Sequence, residues 1–407
     1  MIITKTAKQW AKWGLFNLII VALYGSLMRY KIAFDFPFFN QKNLLHAHSH
    51  FAFSAWISHI LYSGLAFVAS AYVGAKGMRK YNALVIFNLL CGFGMLVAFT
   101  VQGYKAVSIA FSTLSIVVAV LYLISFLADR KLVRNTRFWI WASGGLVLNV
   151  VSAAGPLFLA YTMINHTVTP NSYLGSIYYY LHFQYSGWFF LAAMALISMI
   201  LPKDFPSLRT YFYVFFVTAV ITFFLSILWA KLPLWVYVLT VVAAMIQLVA
   251  WFMLLKKSLP YFKQKKLGNG LGWVAIFFYA ATFAMCIKFV LQAISVLPSL
   301  SQLVFGLRPI VIAYLHLVLL GVYSLFIIGF LFYTRILKTN KLAKFAAFGF
   351  LLGVILNESF LAVQGFTGFF YIPVPHINGM LFFAAIVLFS SALLLFLSQF
   401  KKDELQA

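Results

Sequence analysis

The sequence predicts an all-α integral membrane protein of twelve transmembrane helices in a single domain, residues 1–407. Three observations carry this expectation. First, 64% of the 407 residues are hydrophobic and only 9% are charged, where a soluble domain holds about 45–50% and about 25%. Second, apolar stretches of membrane-crossing length recur from one end of the chain to the other. Third, the basic residues gather in alternate loops. The 46 Phe, 22 Tyr and 10 Trp exceed what one water-soluble core can bury. Lipid is therefore the expected solvent for much of the surface. An ordinary soluble enzyme, a disordered chain and a secreted disulfide scaffold are excluded. Cys91 and Cys286 sit in apolar runs without CxxC spacing and read as buried thiols.

A span needs about 20 mainly apolar residues. The first stretch, 11–28, has Lys5, Lys8 and Lys12 at its start and no small-residue cleavage site, so it is expected to be a retained helix. The second, 45–72, opens on three alternating histidines, and a loop carrying Lys76, Arg79 and Lys80 leads to the third, 82–103. The fourth, 107–128, is separated from the fifth, 138–163, by four basic residues. The loop NHTVTPN then leads to the sixth, 176–201, which leaves through ILPK. The seventh, 208–228, ends in SILWA, and the eighth, 232–255, follows Lys231. A loop with five basic residues precedes the ninth, 270–296, and Arg308 precedes the tenth, 309–334. Four more basic residues introduce the eleventh, 343–365, and Pro373 and Pro375 introduce the twelfth, 376–399.

With the N-terminus in the cytoplasm, 23 Lys and Arg fall on the cytoplasmic side. Six fall outside: Arg29, Lys31, Lys42, Lys105, Lys231 and Arg308. This is a strong positive-inside bias, and it places both termini in the cytoplasm. The formal charge of +24 thus reads as topology, with some attraction to anionic lipid, and not as nucleic-acid binding.

The eight histidines carry the chemistry. In the orientation above, His46, His182, His316 and His376 lie near the outer ends of spans two, six, ten and twelve. Ionisable groups inside spans are costly and mark functional sites, and neutral imidazole is the commonest metal ligand. Within His46-Ala-His48-Ser-His50, residues four apart share a helical face and residues two apart do not. His46 and His50 are therefore expected to look into the bundle together, with His48 pointing elsewhere. Structural readings stand beside these. His376 suits a helix start, His166 a solvated loop, and His59, His182 and His316 each an interhelical hydrogen bond. Lys288 and Glu358, charges inside spans nine and eleven, suit an ion pair or a proton-handling or propionate-contacting pair.

NLLHAHSHFAFSAW, YYYLHFQYSGWFFLAAMALISMILPK and RPIVIAYLHLVLLGVYSLFIIGFLFY resemble helices II, VI and X of subunit I of the heme–copper oxidase superfamily, which includes the nitric oxide reductases. The resemblance implies a bundle of that type, in a bacterial cytoplasmic membrane. It implies His46 and His316 as axial ligands of a low-spin heme, His182 on copper, and Arg308 beside a heme propionate. It also implies an electron-donor protein or accessory subunits at the outer face. The chain departs from the pattern. No histidine lies between His182 and His316, so copper is short of ligands, although His50 or His376 could approach from neighbouring helices. Tyr314 replaces the first helix X histidine, Tyr185 and Ser186 follow His182 at three and four residues, and Gln184 stands where some members have a carboxylate. The expectation is an electron-transferring heme protein with a depleted or altered copper and high-spin site. A divergent oxidase or reductase, a twelve-helix transporter, and a metal- or ligand-sensing membrane protein remain as alternatives.

Overall fold

The computed structural model describes residues 5–133, 137–202, 205–264, 271–297, 299–300 and 308–403. Every regular element among them is helical. Ten helices among the described residues are long and apolar enough to cross a membrane. The expected second and third spans fall on one helical run, Gln41–Gln102. Gly74 breaks it at φ 64 and ψ −177, a conformation that a residue with a Cβ rarely adopts. The expected sixth span lies in a helical run over 170–198, introduced by Thr169, whose Oγ1 accepts from the Ser172 N–H. His182, Gln184 and Ser186 make this run more polar than its neighbours, and it is not among the ten.

Two further spans are irregular for readable reasons. Arg137–Ser152 and Ala154–Ile164 meet at a bend where Pro156 has no N–H for the helical ladder. Beside it, a Cβ on Gly155 would lie 2.5 Å from the Ser176 carbonyl oxygen, so glycine permits this close approach of two backbones. Leu208–Ile221 continues as a tight 3₁₀ turn over Thr222–Ala230, ended by Lys231 in the left-handed region.

The periphery faces lipid. Ala106–Ala128 turns Val107, Leu114, Val117, Leu121 and Ile124 outward, and Leu234–Gln264 does the same with Val238, Val242, Ile246 and Val249.

The centre is held differently. Three π-helical segments, Ala52–Ser58, Phe183–Trp188 and Leu317–Ser324, interrupt three different spans. In each, the N–H just past the segment reaches back five residues: His59 to Ser54, Phe189 to Gln184, Leu325 to Leu320. Such widened turns are rare and cluster at functional sites. The three segments are joined in a ring. The Trp56 indole donates to Ser324 Oγ at 2.9 Å, and the Trp188 indole donates to Ser58 Oγ at 3.1 Å. The Tyr323 hydroxyl donates to the Tyr185 carbonyl. Neighbouring helices add donors: Asn17 Nδ2 reaches the Ala55 carbonyl at 2.6 Å and Asn88 Nδ2 the Ser54 carbonyl at 2.9 Å. Trp56, Trp188 and Tyr323 are all fully buried.

Removing one indole donor deletes one interhelical hydrogen bond and keeps most of the ring. Trp56→Phe and Trp188→Phe should each destabilise the protein by about 1–2 kcal/mol, combining bond loss in lipid with a smaller side chain. Unfolding in mixed micelles measures this. Unchanged stability in both variants would remove the ring from the account of the core.

Candidate functional site

The register of the histidine run is fixed at its start. Asn40 Oδ1 accepts from the backbone N–H groups of Lys42 at 2.9 Å and Asn43 at 3.1 Å, which begins the helix Gln41–Phe51. His46 and His50 then share a face, as their spacing predicts. That face does not meet His316. His46 packs edge-on against Tyr104 with ring centroids 4.9 Å apart, and His50 stacks on Phe99 at 4.4 Å. His50 Nε2 lies 3.2 Å from the Tyr104 hydroxyl. Tyr104 is half exposed, and the partial burial of its phenol raises its pKa above the ordinary value, so the hydroxyl keeps its proton at neutral pH.

His48 is the histidine brought toward His316. Its Nδ1 lies 3.1 Å from the Val21 carbonyl oxygen on the first helix. Its ring rests against Gly25, where a Cβ would come within 3.4 Å of His48 Cε1. His316 Nδ1 lies 2.8 Å from the Ile312 carbonyl oxygen, one turn back in its own helix. A carbonyl only accepts, so each Nδ1 carries the proton and each Nε2 keeps its lone pair. Neither Nε2 has a hydrogen-bond partner among the described residues. His48 is within electrostatic reach of His316, and Arg29 is within reach of both. Glu358 is within electrostatic reach of Arg29 and accepts from Asn357 Nδ2 at 3.0 Å.

The other histidines have structural settings. His182 is buried, and its Nε2 donates to the Ala219 carbonyl at 2.8 Å, the interhelical bond of the structural reading. His59 Nε2 donates to the Trp10 carbonyl at 3.0 Å. His166 and His376 are exposed, each with a left-handed backbone, and His376 caps the helix Ile377–Ser398. The backbone of Arg308 opens the helix Arg308–His316, and its side chain lies outside the described residues.

The positions where the sequence departs from the oxidase pattern are occupied by packing and hydrogen bonds. Tyr314 bonds to Tyr185, with ring centroids 5.9 Å apart. Gln184 Nε2 donates to Asn149 Oδ1 and Ser152 Oγ, both at 2.8 Å. Ser186 Oγ is buried with no partner among the described residues. Lys288 and Glu358 do not pair with each other. Lys288, 2% exposed, donates to Gln292 Oε1 at 2.7 Å, and Gln292 donates on to Gln247 Oε1 at 2.7 Å. Among the described residues no group of three or more His, Cys, Asp or Glu converges as a metal site. No protein-family model and no curated protein matches this chain.

Sequence reasoning missed His48, Arg29 and Tyr104. Spacing separated His48 from its neighbours, but only the carbonyl of Val21 marks which face turns toward His316. Arg29 counted as a loop charge, and Tyr104 carried no pattern.

Lys288 gives a test of this geometry. A buried ammonium held by one amide oxygen and the face of the Phe289 ring, 4.3 Å from its centroid, bears a desolvation penalty that these contacts do not offset. Lys288→Met should therefore leave stability unchanged or raise it by about 1 kcal/mol or more. A loss above about 3 kcal/mol in the same unfolding assay would show that the amine holds a charged partner.

Proposed function

We propose that this chain is a heme-binding membrane protein of respiratory electron-transfer type, in which His48 and His316 would hold one heme. The observation that supports this most is the matched tautomer of the two imidazoles. Each fixes its Nδ1 proton on a backbone carbonyl and presents a free Nε2 lone pair, which is how proteins orient a metal-binding histidine. Bis-imidazole heme supplies one-electron transfer and leaves no open position for a substrate. The chain's part is to hold both rings, keep water out with apolar walls, and place Arg29 where an acidic edge of the macrocycle needs a counter-charge. Glu358 lies within electrostatic reach of the same cation. Arg308 remains a second cation for that role.

Copper fits less well. His182, whose Nε2 donates to Ala219 and whose Nδ1 keeps its lone pair, is the one matched imidazole, and Tyr314, which stands where the oxidases carry a histidine, bonds to Tyr185. This favours electron transfer over oxygen or nitric oxide reduction. A transporter or sensor without redox cofactor is the second reading, favoured by the buried Lys288–Gln292–Gln247 chain.

We read the topology as twelve crossings. Gln41–Gln102 counts as two spans joined near Gly74, and the run 170–198 is added to the ten. Both termini then lie in the cytoplasm, with the histidine end of the bundle toward the outside.

Reduced-minus-oxidised spectra of the detergent-purified protein test the function. Sharp α and Soret bands with one heme per chain are expected. His48→Ala and His316→Ala should each abolish the bis-imidazole spectrum, and His46→Ala and His182→Ala should keep it. Colourless protein would end the heme reading and favour the transporter class. Loss of the spectrum in His46→Ala but not in His48→Ala would return the ligand role to His46.

Topology is tested by single cysteines in a background lacking Cys91 and Cys286. An impermeant thiol reagent applied to intact cells should label Lys105→Cys and Lys231→Cys but not Arg79→Cys or Lys257→Cys. The reverse pattern would invert the orientation.

A further inference from the structure

We propose that His46, His50 and Tyr104 form a second, separate site, one that binds a transition-metal ion, with Cu(II) as the ion of best fit. The site lies on the face of the helix Gln41–Phe51 opposite His48. It goes beyond the heme reading, and the two use different residues of the same histidine run.

The geometry makes the case. Two imidazoles at i and i+4 on one helix face are a chelating pair. Both converge on one phenol, from the loop that follows Gln102. The Tyr104 ring centroid is 4.9 Å from that of His46 and 5.9 Å from that of His50. Two donors that each stand about 2 Å from a shared cation, near a right angle or tetrahedral angle, are about 3 Å apart. His50 Nε2 and the Tyr104 oxygen are 3.2 Å apart. Neither ring nitrogen of His46 has a hydrogen-bond partner among the described residues, so a lone pair is available there.

The loop geometry is built for this approach. Gly103, at φ 68, turns the chain back at the helix end, and its position would bring a Cβ within 2.5 Å of Asn43 Oδ1. Glycine thus lets the loop close down on the histidine helix and carry Tyr104 over it. Phe99 stacks under His50 and fixes the plane of that ring.

The donor set, two neutral imidazoles and a phenol, suits first-row transition ions, and the general affinity order ranks copper first among them. Binding replaces the phenol O–H by an O–Cu bond and releases one proton to solvent. The phenolate charge offsets the repulsion between the dication and Lys42, which lies within electrostatic reach of His46.

The test uses the full chain in detergent, freed of metal by a chelator and titrated with Cu(II). One equivalent should bind, with an electron paramagnetic resonance signal split by two imidazole nitrogens and with one proton released. His46→Ala and His50→Ala should each weaken binding by roughly 100-fold or more, beyond the 10–100-fold seen when only a supporting group is lost. Tyr104→Phe should remove the proton release and the phenolate-to-copper absorption while keeping the nitrogen splitting. Heme content serves as the fold control, because these variants retain His48 and His316. If the wild type carries no heme, the heme reading fails alone, and the elution profile replaces heme content as that control. Equal copper affinity in the His46→Ala/His50→Ala double variant would show adventitious binding and overturn the site. An unchanged copper spectrum and proton release in Tyr104→Phe would overturn the three-ligand assignment.

Discussion

An apolar interior leaves no water to satisfy a backbone group that a helix fails to pair, and the centre of this bundle is arranged around that constraint. Three spans carry π-helical turns whose widened backbone departs from the ordinary ladder. Donors from other helices meet the carbonyls there. Asn17 and Asn88 reach Ala55 and Ser54, and Tyr323 reaches Tyr185. The two Trp–Ser bonds complete a ring among the same segments. Each bond requires a particular rotation and height of two helices, so together they set the register of spans far apart in sequence.

That register determines where the histidines stand. His182 and His316 each immediately precede a π segment, and the third segment begins two residues after His50. Locking the three segments together therefore brings these parts of the helices to one level. The helix Gln41–Phe51 then presents histidines on two faces. A rotation of about 200° separates residues two apart, so His48 can meet the Val21 carbonyl while His46 and His50 meet Phe99 and Tyr104. One short motif serves two environments because the first helix packs on one side of it and the end of Gln41–Gln102 packs on the other.

Charge follows the same logic of pairing. Arg29 lies within electrostatic reach of Glu358, His48 and His316, which are far from it in sequence. Lys288 has the Gln292 amide oxygen in place of a carboxylate, and Gln292 in turn donates to Gln247. The two intramembrane charges that invited pairing in the sequence thus have different partners, Gln292 for Lys288 and Asn357 for Glu358. The resemblance to the oxidases aligned His46 with a heme ligand by its place in a motif. The bundle instead turns His48 toward His316, which favours a heme held by that pair in our reading.

Composition and hydropathy alone determined that the chain is all-helical and suited to a membrane, because lipid solvation is a property of every residue and needs no knowledge of neighbours. The i, i+4 rule alone determined that His46 and His50 share a face, because it depends only on the pitch of one helix. What the sequence left open is the rotation of each helix about its axis and the identity of what it meets. That choice rests on contacts between residues far apart in the chain, such as Trp56 with Ser324, His48 with Val21, and His46 and His50 with Tyr104. No periodicity within a single span encodes those contacts, so only the tertiary structure decided which histidines face each other.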